Sequence, residues 1–180
     1  MFNFLKSTRA GVPVVDKVWL SQHAKWEACV KMAEANPAIV FIAWFQQAKE
    51  GLASFFEERS IQAKLFKADE LTGMDPNTMY IFVEHHPLIS REQTLFEKLQ
   101  LKEAPTLSSL DESIFSLFGG ERLINMMNRL GMENDEIIGH AMITKAIQNA
   151  QRKISAKVIH EKPANSQEEW IKLNLKDSFN

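Results

Sequence analysis

The chain has 180 residues, 45% of them apolar, enough to bury one sizeable core. Its 21 Lys and Arg stand against 23 Asp and Glu, so no global field gathers nucleic acid or an anionic membrane. A single Cys29 excludes an intramolecular disulfide, no apolar run reaches the ~18 residues of a bilayer span, and Met1–Lys6 lacks the parts of a signal peptide, so a soluble cytoplasmic protein is expected.

In chain order, Val14–Leu20 reads as a β-branched strand, and Ser21 after it is a good N-cap for a helix from about His23 to Ala35. Cys29 lies in that helix with no motif around it that would mark a nucleophile. Asn36-Pro37 breaks the pattern, because proline disfavours helix in the residue before it. Ala38–Trp44 is apolar without alternation, as a strand covered on both faces reads, and is the candidate for a central parallel strand. Residues 46 to 59 carry a helical stripe of Ala48, Leu52, Phe55 and Phe56. Gln62–Lys67 and Met79–Val83 are two further strands, separated by a polar loop holding Asp69, Glu70 and Asp75. Strands alternating with helices predict a parallel sheet.

From Ser90 onward the period is helical. Ser90 to Gln93 and Ser109 to Glu112 fit capping boxes, and Gly131 suits a helix C-terminus. Ile143, Ile147, Ala150, Ile154 and Val158 line one side of a long helix, opposite a polar face of Lys145, Gln148, Gln151 and Arg152. After a polar stretch, Trp170–Leu175 alternates like a short edge strand or a docking segment.

A phosphate-cradling loop needs glycines whose amides approach the phosphates closely. Only Gly119-Gly120 pairs glycines, and Glu121-Arg122 follows, so no Walker A pattern exists and a turn between short helices is expected. Glu84, His85 and His86 follow directly on a strand, where open α/β folds place ligands. They are the candidate ligand or acid/base site. The other reading is a strand-end turn with partly exposed histidines; as a metal site the trio is poor, because adjacent residues diverge and His140 and His160 are far along the chain. Met126, Met127, Met132 and Met142 are read as core or as an adaptable contact face. Lys145, Arg152, Lys153 and Lys157 form a basic helix edge without the interleaved aromatics that nucleic-acid stacking uses.

Three blocks carry a resemblance. Ser109 to Leu123, SLDESIFSLFGGERL, looks like SLEDxLMRIFGSERI of the SecA preprotein translocase family; Met126 to Met132, MMNRLGM, resembles its MMxxLGM; Ile138 to Lys153 resembles its IEHPWVTKAIxNAQRKVE. Looser similarity extends forward, with Met79 to His86 resembling LYVIGTERH. The resemblance implies the second RecA-like motor domain and the start of the scaffold helix. The departures imply lost chemistry: only Asp69 to Thr78 stand where the family has a strand and its GRGTDI motif, and Thr94 to Glu103 replace an arginine-rich segment that reaches ATP phosphates.

The expectation is therefore an α/β, RecA-like parallel sheet of about four strands over residues 1–105, with a helical extension over 106–180. The implied function is a catalytically silent accessory or protein-interaction protein linked to protein export, with no catalytic, cofactor or metal residues. Its partner would be a motor, a translocation component or an export substrate, met on Lys145, Gln148 and Arg152. The alternative is a small ligand-binding protein or enzyme using Glu84, His85 and His86.

Overall fold

The computed structural model describes residues 11–175 apart from 74, 76, 77, 118, 130, 134, 139 and 140, with the backbone alone at 121, 141 and 142. His140, Met142's side chain and Met1–Lys6 thus lie outside the described residues. Five strands, β1 (Val14–Trp19), β2 (Ile39–Ala43), β3 (Lys64–Lys67), β4 (Met79–Phe82) and β5 (Ala104–Ser109), form one sheet in the order β1-β5-β4-β2-β3. All its pairings are parallel, as an alternation of strands and crossover helices dictates. The helices are α1 (Gln22–Ala35), α2 (Gln46–Glu58), α3 (Ile89–Lys98), α4 (Ser113–Ser116), α5 (Gly120–Arg129), α6 (Ala141–Ser155) and α7 (Gln167–Leu175).

Local chemistry explains most boundaries. Ser21 is extended and its Oγ accepts from Ala24 N at 3.2 Å, the expected cap of α1. All five residues of β2 are buried, as its unbroken apolar run requires, yet the middle of the sheet falls to β4, and β2 lies between β4 and β3. Gly119 takes φ +90, a left-handed turn between α4 and α5, and a Cβ on Gly120 would sit 2.7 Å from the Leu110 carbonyl oxygen. Gly131 likewise has φ +76 just past α5.

Three expectations are corrected. The helical reading from Ser90 onward missed β5, whose Ala104-Pro105-Thr106-Leu107-Ser108-Ser109 shows neither alternation nor β-branched density. It is a strand because β1 pairs with it along its whole length, Val14 opposite Ala104 and Trp19 opposite Ser109. Ala104 N donates to Pro13 O, so alternate amides face β1 and Pro105 falls on the β4 side, where Phe82 opposite Thr106 is the pairing. Second, α3 starts at Ile89 without a side-chain cap: Leu88 stands at the cap position, Ser90 lies within the helix, and Gln93 of the expected capping box bonds Val12. Third, Trp170–Leu175 is helical: Ser166 Oγ accepts from Glu169 N, and Trp170 and Leu175 are buried, so the segment docks as a helix.

Alternation along the strands assigns the faces. Ile39, Phe41 and Ala43 pack with Cys29 and Val30 of α1 and Leu52, Phe55 and Phe56 of α2. Val40, Ile42 and Phe82 pack with Leu95, Phe96 and Leu99 at α3 on the other face. Val14 joins that α3 cluster and Val18 packs with Ile147 of α6, so α6 lies beside α3. Phe45, Leu88, Ile154, Trp170 and Leu175 form a fourth cluster, which brings α7 over the carboxyl ends of the strands.

Candidate functional site

Glu84, His85 and His86 leave β4 at the carboxyl edge of the sheet, and all three are buried, against the expectation of partly exposed histidines. Glu84 Oε1 accepts from Trp44 N and Phe45 N, each at 2.9 Å. It thereby caps α2 from a neighbouring strand, since Phe45 at the helix start has no capping side chain. Burial, aided by the nearby Glu112, pushes its carboxyl up to about 7 against the pull of those amides and Lys25.

His85 is clamped between carboxylates, with Nδ1 2.9 Å from Glu92 Oε1 and Nε2 2.8 Å from Asp16 Oδ1. Burial opposes its charge, but Glu92 and Asp16 overcome this and raise it to about 10, an imidazolium at neutral pH. Asp16 is likewise resisted by burial, yet bonds to His85 and Thr144 hold it below the usual carboxylate range. The same Glu92 accepts from His86 N, and its Oε2 accepts from Gln151, whose amide also donates to the His86 carbonyl. Gln151 is therefore buried inside, not on the polar face of α6 where its spacing put it.

His86 points elsewhere. Its Nδ1 accepts from Leu88 N at 3.0 Å, which puts the proton on Nε2, 3.3 Å from Glu161 Oε1. Its ring stacks on Phe45 at 5.5 Å and meets Trp44 and Trp170 edge-on. Burial drives its pKa down to about 4, so it is neutral.

Two cavities open at this edge. The first, about 410 Å³, lies where α2 leaves β2 on one face and α3 leaves β4 on the other, a topological switch point. It is lined by His86, Trp44 and Trp170 and by a mixed set of charges including Lys67, Asp69, Arg91 and Glu161. Those charges pair internally, Lys67 with Asp69 and Arg91 with Glu161. The second, about 340 Å³, is lined by Glu84, Glu112 and Gln167. His85 lines neither, so the trio does not converge on one site.

A buried ion pair between Lys25 and Glu112 lies behind the second cavity and was not read from sequence. Lys25 Nζ donates to the Val83 carbonyl at 2.7 Å and to Glu112 Oε1. Burial works against the ammonium, but Glu112 outweighs it and the pKa is raised. The available signal was Lys25 four residues before Cys29, on the buried side of α1. Cys29 itself is buried and its thiol is pushed up to about 12 by burial, which leaves it protonated and inert. On α6, Lys145 and Arg152 are exposed and Gln148 is half-buried; Met127 and Met132 pack partly against the α6 core while Met126 is exposed. Among the described residues, no group of three or more His, Cys, Asp or Glu is arranged to hold a metal ion, and no helix is long and apolar enough to cross a membrane.

The fold and edge define a parallel α/β protein with helices on both faces, consistent with a RecA-like sheet. Within it the chain carries a SecA-related segment. It is 50% identical over 46 residues to protein translocase subunit SecA of Chlorobium limicola, covering 26% of this chain and 4% of that protein. It is 47% identical over 49 residues to the same subunit of Symbiobacterium thermophilum, and 41% over 49 residues to that of Acinetobacter baylyi, each 27% of this chain and 5% of the relative. The match thus spans only about a twentieth of the length of these curated relatives. No protein-family model matches the chain.

Proposed function

We propose that this chain is a non-catalytic, SecA-related accessory protein that binds a protein partner in protein export through the outward side of α6, at Lys145, Gln148 and Arg152. The observation that carries the reading is the use made of α3. Where the resembled family has its arginine-rich segment, Leu95 and Phe96 are buried in the sheet core and Lys98 donates to the Leu71 carbonyl, so these residues serve packing. The similarity to translocase subunits supports protein export as the process; on this reading the partner is a motor, a translocation component or an export substrate. In this reading the sheet, which runs through β5 to Ser109 and so past the expected boundary at residue 105, is the remnant of the motor core, and the helical part after it meets the partner.

Calorimetry with ATP and ADP tests the catalytic silence: no binding at micromolar concentrations and no hydrolysis are expected, and either one overturns it. A photo-crosslinker at Gln148 tests the surface, with a specific adduct to a translocation component or export substrate expected. A joint small-molecule or metal site of Glu84, His85 and His86 has less support, because Glu84 and His86 face different cavities and His85 faces neither.

A further inference from the structure

Charge is spread unevenly along the chain. It has 23 Asp and Glu, yet none lies between Glu136 and Glu161, where Lys145, Arg152, Lys153 and Lys157 all fall. That stretch contains α6, which forms one wall of a groove of about 640 Å³. Ala146, Ala150, Lys153 and Lys157 line it; spaced by four, three and four residues, they form one strip along α6 and the turn after it. Leu117 just past α4 and Leu175 at the end of α7 complete the walls, and buried Ile154 closes the floor. Among the described residues the lining holds two lysines and no carboxylate, and Lys153 is exposed. The groove is therefore apolar below and basic at its rim.

We propose that this groove receives an acidic amphipathic helix of a partner protein, with its apolar side on Leu117, Ala146, Ala150 and Leu175 and its carboxylates toward Lys153 and Lys157. The inference rests on the reading of α6 as the side that meets the partner, and adds what that partner is made of. Charge complementarity selects the sign: an acidic segment meets no carboxylate among the described lining, whereas a basic one meets two lysines, with Lys145 and Arg152 on the same helix. The apolar floor selects a protein over a nucleic acid, whose bases would find no aromatic side chain in that lining to stack on. Shape selects a helix. At the 1.5 Å rise of a helix the strip from Ala146 to Lys157 is about 16 Å long, three turns, and its alanines let a second backbone lie close. None of the described lining residues belongs to a strand, so an extended segment would gain no backbone pairing there.

The test titrates the intact protein with a labelled model peptide carrying leucines at i, i+3, i+4 and i+7 and glutamates elsewhere. Its controls are the same peptide with lysines for glutamates, polyglutamate, and a single-stranded DNA oligonucleotide. Saturable one-to-one binding of the leucine-glutamate peptide at micromolar concentration is expected, weakening with salt, with a gain of helical circular dichroism and amide shifts at Ala146, Ala150 and Lys153. Lys153→Glu should weaken it about tenfold at an unchanged melting temperature, while Lys31→Glu, the same charge change at an exposed site on α1, should not. No binding, equal binding of polyglutamate, the lysine peptide or DNA, or an equal loss in Lys31→Glu overturns the proposal. So does a shift of those amides by Phe179→Ala without peptide, which makes the chain's own C-terminal residues the occupant, or self-association lost in Lys153→Glu, which makes it a second copy. An export component crosslinked at Gln148 without peptide binding removes this inference and leaves the α6 reading standing; peptide binding without such a crosslink removes the export reading alone.

Discussion

Two buried ionic clusters flank the end of β4, and they differ in completeness. On the α3 and α6 side, both nitrogens of His85 meet carboxylates, and Glu92 accepts further from His86 N and Gln151. On the α1 side, Lys25 is held by Val83 O and Glu112 Oε1, yet Glu112 Oε2 is buried with no partner among the described residues. A network with every member satisfied fixes helices to a sheet; one that leaves a buried oxygen without a donor carries an uncompensated desolvation cost. His85, which looked like chemistry in the sequence, belongs to the first kind; Lys25, which drew no notice, and Glu112, read only as part of a capping box, belong to the second.

The comparison breaks most sharply at His85. His85→Ala leaves Asp16 and Glu92 buried without their shared cation, so the loss should reach the upper part of the roughly 3–5 kcal/mol typical of a broken buried pair, read from urea unfolding. A ligand-site reading of this residue would leave stability nearly unchanged, so a shift below about 1 kcal/mol would refute the structural role. Lys25→Met should cost about 3 kcal/mol, and the double variant Lys25→Met with Glu112→Met less than that, since exchanging a whole buried pair for apolar side chains is often near neutral. If the double variant is the worse of the two, the Lys25 cluster has been misjudged as incomplete.

Protonation sharpens the contrast further. His85 is raised to about 10 in the folded protein, so its stabilisation is fully present below its unfolded value of 6.5 and is lost as pH rises through 10. Glu84 is raised from 4.5 to about 7 because burial favours its neutral form, so its contribution is present at low pH and falls as pH climbs from 4.5 through 7. His86 runs the other way: depressed from 6.5 to about 4, it costs stability as pH drops through that interval. Unfolding free energy measured across these windows should lose its alkaline decline in an otherwise folded His85→Gln, whereas Glu84→Gln should remove the fall that opposes His86 and leave stability rising more steeply between pH 4.5 and 6.5. An unchanged slope in Glu84→Gln would place the titration elsewhere.

How far the sequence reached follows from the range of the interactions involved. β1, β2 and α1 were legible because β-branched runs and the Ser21 cap are local signals. β5 was not, because Ala104 to Ser109 is a strand only in the presence of β1, some ninety residues earlier in the register of Val14 with Ala104. Glu84, His85 and His86 were rightly placed at the carboxyl edge, but their burial depends on partners such as Asp16, 69 residues from His85, and Gln151, 65 from His86. Lys25 was hidden for the same reason: a lysine on an apolar helix side reads as a surface residue until Glu112, 87 positions away, is brought to it.

The smallest predicted effects contrast neighbours on α6. Gln151 is 1% exposed and donates to the His86 carbonyl and Glu92, so Gln151→Ala leaves two buried acceptors short and should cost about 1–3 kcal/mol. Arg152, the next residue, turns outward and bonds only Asn149 within its own helix, among the partners described. Arg152→Ala should therefore change unfolding free energy by no more than about 0.5 kcal/mol, as exposed substitutions usually do. It should nonetheless lower the yield of crosslinks formed from position 148, because a basic outward side is what the helix would present to a partner. If Arg152→Ala leaves crosslinking intact while Gln151→Ala abolishes it in a folded protein, the partner reads the buried network's consequences and the outward side of α6 is not its surface.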